Sequence, residues 1–337
     1  MNIIKKGQVR FVGNFPPPFG GVTIKNELLL KYLLKYYEVE TIKSNKKLDQ
    51  FIWFLKSAFC RKPMIIGVSS STGKSLLLTK LLYFFNKKTM SKSLYFMMGG
   101  VEAFRISKSR KEIIMYSTYK RVFVETEIMQ NELVKVGMKN VSLYPNCRER
   151  KKYTIKNHSS FKCVFFSIVS AMKGVDLILE SAKVHQDIIF DFYGEIDPNY
   201  KIQFLDEIKN LKNVSYCGVF NSAHDNVYEK LAEYDILLLP TRWRTEGVPG
   251  VLVEAKIASL PAIVSDVSYN SIIIENEVDG LVISPDSLKA LNDAIDRIKG
   301  NPRFHQALKN GALRNSRKYL IETYVDSIVK LLSEASK

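Results

Sequence analysis

The sequence predicts an α/β protein made of two doubly wound, Rossmann-like domains with parallel sheets. Short apolar runs rich in β-formers alternate with helical stretches from end to end, the pattern of stacked βαβ units. A chain of 337 residues exceeds what one hydrophobic core usually supports, so two domains of about 150 residues each are expected. The run NCRERKKYTIKNHSS, residues 146–160, is polar, charged and aperiodic, and the charge of the chain changes sign around it.

In the first half, the runs VRFVG, PMIIGVSS, SLYFMM, RVFVE and VSLYP read as strands with helical patterns between them. They make residues 1–150 one domain, with 146–160 as the linker. The alternation resumes over 161–316, where FKCVFFS, IIFDFYG, VSYCGV, YDILLLP, PAIVSD and GLVIS read as strands. Helices are expected near KGVDLILESAK and after Pro249, and again from about residue 286 onward. Residues 317–337 form a terminal helix expected to pack back toward the first domain. In open sheets of this kind, ligands bind beyond the carboxyl ends of the strands.

Charge is unevenly shared. Residues 1–162 hold 31 Lys and Arg against 10 Asp and Glu, whereas residues 163–337 hold 19 against 24. A basic half of that size suits an anionic partner. Its basic residues are interleaved with apolar helices, as in FIWFLKSAFCRK and SLLLTKLLYFFNKK, which favours an anionic membrane surface or a lipid phosphate. Because no nucleic-acid-binding module is recognisable, a nucleic-acid partner is not expected. Cys60, Cys147, Cys163 and Cys217 stand far apart without CxxC or Cys/His pairing, which argues against a disulfide framework or a zinc site. No apolar run approaches the ~20 residues needed to cross a bilayer, and the start MNIIKKGQVRFVGNF has no signal-peptide core. A cytoplasmic protein, peripherally associated with the inner face of the membrane, is expected.

The most informative segment is TRWRTEGVPGVLVEA, which follows the buried strand YDILLLP. Pro249 suits the first turn of a helix, where its fixed φ helps and its missing N–H costs nothing. Gly250 lets a ligand approach the backbone, and the amides of Gly250, Val251 and Leu252 open the helix, where an anion is favoured. Glu246 and Glu254 flank this phosphate seat. A carboxylate cannot hold phosphate, but it can accept two hydroxyl hydrogen bonds, which suits the sugar rings on either side of a diphosphate.

These residues resemble the E-x7-E region of glycosyltransferase family 4, whose members have the two-domain GT-B fold with sheets facing across a cleft. FVGNFPPPFGGVTIKNELLLKYL is similar to that family's amino-terminal glycine loop and first helix. VFVETEIMQNELVKVGMKNVSLYPN is similar to its approach to the linker, and AMKGVDLILESAK to the Lys-Gly segment opening its second domain. The wording of YFMMGG and WRTEGVPG is closest to bacterial surface-polysaccharide members.

The resemblance implies a retaining, metal-independent hexosyltransferase with no cofactor, moving a sugar from a UDP- or GDP-sugar to a glycan or lipid-diphosphate-linked acceptor. By the same resemblance Glu246 takes the transferred sugar, Glu254 the nucleotide ribose, the amides of residues 250–252 the diphosphate, and Lys173 its charge. Gly20 and Gly21 close on the diphosphate from the acceptor-binding first domain, and Gly218 and Val219 hold the base. A departing nucleoside diphosphate gains negative charge, which a fixed lysine and helix-end amides stabilise.

Two departures stand out. Where the family has an arginine shortly before the Lys-Gly pair, this chain has Ser167 and Ile168, so Arg242 or Arg244 is the candidate replacement. The middle of the first half carries MMGG, Met97 to Gly100, where relatives have a histidine; His158, His185, His224 and His305 all lie at or beyond the linker. These departures keep a non-catalytic GT-B scaffold or partner subunit as the alternative. A P-loop reading of GVSSSTGKS fails on spacing, because five residues separate Gly67 from Gly73 where four are needed; a serine-capped helix start is expected there instead.

Overall fold

In the computed structural model, residues 7–17, 20–43, 56–69, 73–99, 101–154, 159–221, 225–244 and 247–336 are described. They divide into two units, Met1–Glu149 with Tyr319–Lys337, and Arg150–Lys318. Each unit is built on a six-stranded sheet in which every pairing is parallel.

The first unit contains β1 (Gly7–Gly13), β2 (Tyr37–Lys43), β3 (Met64–Gly67), β4 (Leu94–Phe96), β5 (Arg121–Val124) and β6 (Val141–Leu143), in the order β2-β1-β3-β4-β5-β6. β2 escapes the apolar pattern because it is an edge strand with mostly exposed, charged positions, as edges commonly are. Its register is fixed by a cross-strand ion pair: Glu40 lies opposite Arg10 and accepts from Nη2 at 3.0 Å. Chain order reverses between β1 and β3. The helix Gly21–Leu33 is locked across that point by Asn26, whose Nδ2 donates to the carbonyls of Asn14 at 2.8 Å and Gly67 at 2.7 Å.

The carboxyl-terminal helix, Val325–Ser336, belongs to this unit. Ile321, Val325, Ile328 and Leu332 join its core beside Phe11, Phe96 and Phe123, and the Tyr37 hydroxyl donates to the Val329 carbonyl at 2.9 Å. The first residues of the polar run 146–160 also belong to the unit's interior. Asn146, Cys147 and Arg148 are buried, and the Arg148 amide donates to the Tyr319 carbonyl at 2.8 Å. Their polarity is spent on each other, with Arg148 Nη1 donating to Asn146 Oδ1 at 2.7 Å. The helix after β3 is capped by Gly73 itself at φ +67°, with no side-chain cap, so the expected serine cap is not formed.

The second unit contains β7 (Lys162–Phe166), β8 (Ile189–Tyr193), β9 (Val214–Tyr216), β10 (Ile236–Leu239), β11 (Ala262–Ser265) and β12 (Gly280–Ile283), in the order β12-β11-β10-β7-β8-β9. All six lie within the runs read as strands from sequence; the central β10 and β11 are buried along their whole length, as parallel strands covered on both faces are. Here the order reverses between β7 and β10, and it is beyond the carboxyl ends of strands at such a reversal that doubly wound folds bind ligands.

Beneath the helix Gly250–Ile257 lies a buried ion pair, Lys256 with Asp279, whose side chains are 1% and 0% exposed. Asp279 is otherwise satisfied by the Glu275 amide at 2.9 Å and Asn315 Nδ2 at 2.6 Å. Burial lowers the Lys256 pKa, and the carboxylate opposes that shift. Removing one partner strands the other charge in a dry interior. Lys256→Ala is therefore expected to cost the second unit about 3–5 kcal/mol, measured as a lower urea midpoint at unchanged m-value.

Candidate functional site

The site begins with two chain segments that leave adjacent strands and then tie themselves together. After β7 the chain runs through Ser167–Ser170 into a short 3₁₀ turn, Ala171–Lys173. Gly174 closes that turn at φ +76°, and a Cβ there would lie 2.1 Å from the Pro240 carbonyl oxygen at the end of β10. Only glycine meets both demands. The loop after β10 closes from the other side: the Arg242 amide donates to the Met172 carbonyl at 2.9 Å, and the Thr241 hydroxyl donates to the same oxygen at 3.2 Å. Ser265 at the end of β11 donates to the Thr241 carbonyl at 2.5 Å.

This interlock fixes Lys173. Its side chain is buried, 4% exposed, and Nζ stands 5.3 Å from the centre of the Trp243 ring, within cation–π range. An ammonium held in so little water acts on an incoming anion with little screening. Glu246 and Thr245 lie outside the described residues.

The loop ends at the helix Gly250–Ile257, with Pro249 as its N-cap and Gly250 as its first residue, one position later than expected for the proline. Leu252 departs from expectation too. Its amide turns back to the Pro249 carbonyl at 3.2 Å and its side chain is fully buried, so it is not a direct donor to a ligand. Gly250 and Val251 supply the amides that a first helical turn leaves without an intrahelical acceptor. Gly250, Val251 and Glu254 are the helix positions not fully buried. Glu254 stands one turn after Gly250 on the same face, and the amides of Gly250 and Val251 point along the axis out of the helix's amino end.

Arg242 is engaged elsewhere. Its Nη1 meets Asp176 Oδ1 at 2.7 Å, its Nη2 meets Asp286 Oδ1 at 2.6 Å, and Nη1 also donates to the Ala171 carbonyl at 2.5 Å. The hydrogen bonds to Asp176, and then to Asp286, raise its pKa above the usual arginine value. With two carboxylates on one guanidinium, Arg242 clamps the loop to the helix Val175–Val184 and has no spare charge for a diphosphate. Arg244 is exposed and remains the basic side chain of this loop open to solvent.

Gly218 and Val219 follow β9, two strands along from β10's neighbour β7, or about 10 Å at the usual strand spacing. Gly218 has φ +78°, its carbonyl accepts the Gly194 amide at 2.9 Å, and Val219 is exposed. Next to them, the half-buried rings of Phe166, Tyr193 and Phe220 gather beyond β7, β8 and β9, with Phe166–Tyr193 stacked at 5.2 Å and Phe166–Phe220 at 5.3 Å. Sequence reading missed this aromatic group, as it missed Thr241, Trp243 and the Asp176–Arg242–Asp286 clamp. Their partners are distant in sequence, and no local pattern announces them.

In the first unit, Gly20 and Gly21 open the helix Gly21–Leu33 beyond the carboxyl end of β1. Gly20 is extended, at φ −173°, and its amide donates to Thr23 Oγ1 at 2.9 Å. A Cβ on Gly20 would meet nothing within 4 Å, and one on Gly21 only Asn146 Nδ2 at 3.9 Å. Neither glycine is demanded by the protein's own packing, and both leave backbone open to approach.

Residues 148–315 match the family model described as Glycosyl transferases group 1. The matched stretch covers nearly all of the second unit, Arg150–Lys318. The chain is 26% identical over 138 residues to the UDP-Gal:alpha-D-GlcNAc-diphosphoundecaprenol alpha-1,3-galactosyltransferase of Escherichia coli, 41% of this chain and 34% of that protein. It is 32% identical over 107 residues to the lipopolysaccharide core biosynthesis mannosyltransferase LpsB of Rhizobium meliloti, 31% of this chain and 30% of that one. The match thus spans about a third of the length of these relatives.

Among solved structures, HepE of Anabaena in complex with UDP is similar with a TM-score of 0.72 at 14% identity, over 97% of this chain and 100% of that one. The sucrose-phosphate synthase of Thermosynechococcus elongatus is similar with a TM-score of 0.72 at 15% identity, over 98% and 99%. At such identities the likeness is one of fold, and the fold of the two parallel-sheet units is GT-B.

The Lys-Gly turn of the second unit cannot tolerate a side chain at residue 174. Gly174→Ala forces both a left-handed backbone and an overlap with Pro240. It is expected to cost about 2–4 kcal/mol, read as a fall in the unfolding midpoint, with altered near-ultraviolet dichroism from Trp243.

Proposed function

We propose that this protein is a retaining glycosyltransferase of bacterial surface-polysaccharide biosynthesis, transferring a sugar from a UDP- or GDP-sugar to a lipid-linked or oligosaccharide acceptor. The observation that carries this reading is the placement of a buried lysine and an open helix amino terminus on the two loops that leave β7 and β10, where chain order reverses. Support also comes from the relatives: the name of the E. coli protein states a UDP-Gal donor and a diphosphoundecaprenol acceptor, and HepE was crystallised with UDP.

In the proposed reaction the bond between the sugar's anomeric carbon and the β-phosphate oxygen breaks, and the acceptor hydroxyl forms the new glycosidic bond. The acceptor's proton passes to the leaving phosphate oxygen, so the nucleoside diphosphate serves as the base. Lys173 and the amides of Gly250 and Val251 meet the charge that grows on that oxygen, in place of a metal. Glu254 accepts from the ribose hydroxyls, and Glu246 from hydroxyls of the transferred sugar. Gly218 and Val219, with the aromatic group beside them, take the base. The first unit takes the acceptor.

The second reading, a non-catalytic GT-B subunit, is favoured by one observation. The arginine positioned to replace the one missing from Ser167 and Ile168 is already neutralised by Asp176 and Asp286. Binding of a nucleotide sugar without turnover across a donor and acceptor panel would select it.

The reading is tested by melting the protein with a panel of UDP- and GDP-sugars, since a ligand that binds only the native state raises Tm. Glu254→Ala is expected to weaken nucleotide binding by about 1.5–3 kcal/mol, the loss of a charge-assisted hydrogen bond. Unchanged affinity removes the ribose role. Lys173→Ala is expected to lower kcat by roughly 10²-fold or more while changing nucleotide affinity less, because its charge acts mainly on the leaving group.

A further inference from the structure

We propose that the outer faces of the helices Lys74–Phe85 and Arg110–Tyr116 form the surface by which the first unit lies on an anionic lipid bilayer. The inference deepens, and takes its setting from, the reading of a lipid-linked acceptor.

The two helices are anchored from within. Leu78, Thr79 and Leu82 of the first and Met115 and Tyr116 of the second are buried, and Thr79 shares a hydrogen bond of 3.0 Å with Tyr119. Tyr116 donates to the buried carboxylate of Glu102 at 3.1 Å. What remains outside is apolar where a soluble helix would be polar. On the first helix Leu77, Lys80 and Phe84 follow one another at spacings of three and four, so they form a single outward stripe. Leu77 is 46% and Phe84 61% exposed, and on the neighbouring helix Ile114 is 50% exposed. The two helices meet at this stripe: Lys111 Nζ lies 5.9 Å from the centre of the Phe84 ring.

Charge names the occupant. Between Asp49 and Glu102 the sequence holds eight Lys and Arg and no acid. Glu112, the acid of the helix Arg110–Tyr116, is engaged by Arg105. A stripe that alternates apolar and cationic side chains matches a bilayer surface, where rings enter the headgroup layer while lysine stems lie along it and keep their ammonium groups among the phosphates. The helix Lys74–Phe85 has 12 residues, too few to cross a membrane, which needs about 20. Among the described residues no helix is long and apolar enough to do so. A second copy of the chain is a poorer occupant, because a two-fold contact would set each lysine stripe against its own copy.

The test is co-sedimentation of the full chain with vesicles of phosphatidylcholine alone or mixed with phosphatidylglycerol, at low and at physiological salt. Binding is expected to the mixed vesicles only. L77S/F84S should weaken it at least tenfold at either salt. K80E/K111E should weaken it about 25-fold or more, from roughly fivefold per lysine near an anionic surface, with the loss larger at low salt.

All four positions are solvent-facing, and an unchanged Tm in both variants shows that folding is intact. Equal binding to neutral vesicles, or undiminished binding by both variants, overturns the proposal. So does conversion of a dimer to a monomer by L77S/F84S in sedimentation velocity. A nucleotide-induced rise in Tm is measured on the same samples. If no nucleotide raises Tm while vesicle binding still depends on this face, the donor reading falls and the surface stands.

Discussion

The geometry of the second unit depends on one close approach, the backbone of Gly174 against the carbonyl of Pro240. It brings the turn after β7 into contact with the chain leaving β10, and everything that follows on either side is set by it. The carbonyl of Met172 can then accept from both Thr241 and Arg242, and Lys173 is held beside Trp243. A side chain at residue 174 would push the two segments apart by more than the length of a hydrogen bond's tolerance. The Lys-Gly pair is therefore one feature: the glycine makes the contact, and the lysine inherits its position from it.

The clamp around Arg242 shows how the same loop is held against its own charge. Loops are poor places to hold a ligand unless something fixes them. Here Asp176 and Asp286 come from opposite sides of the loop, and each takes part of one guanidinium. The cation that sequence reasoning offered to the ligand is consumed in making the loop rigid. Rigidity below the site has a separate source. Lys256 and Asp279 hold the helix Gly250–Ile257 from its buried side, while Gly250, Val251 and Glu254 face the other way. An open face on a fixed helix is what preorganised binding of an anion requires.

How much of this was legible from sequence follows from range. The six strands of the second unit are local patterns, each legible in a dozen residues or fewer; the helix after Pro249 was legible to within one position, and the Lys-Gly segment only through its resemblance to a family. β2 could not, because an edge strand need bury neither face and YEVETIK shows no apolar alternation. Asn146–Arg148 could not, because polar residues that satisfy one another look like a linker until their partners are seen. Counting amides from Pro249 puts Leu252 in the seat, but a count cannot tell an amide facing out from one turned back on the Pro249 carbonyl. Arg242's partners lie 66 and 44 residues away, beyond any motif.

Two kinds of positive charge are present, and they work by different physics. The lysines of the outer stripe are exposed, so salt screens each of them over about 8 Å, and each adds on the order of 1 kcal/mol near an anionic surface. Their effect is a sum, tolerant of any single loss and indifferent to which phosphate they meet. Lys173 is buried, so its field is weakly screened and acts strongly on a charge brought beside it. Its effect cannot be shared out or replaced by a neighbour. In the proposed reaction, a nucleotide sugar drawn loosely to the basic first unit would gain nothing in position, whereas the same molecule beside Lys173 and the helix amides would be held where its leaving oxygen needs stabilisation. On the two proposals, attraction to a surface and stabilisation of a transition state are separated in one molecule, the first by number of charges and the second by the burial of one.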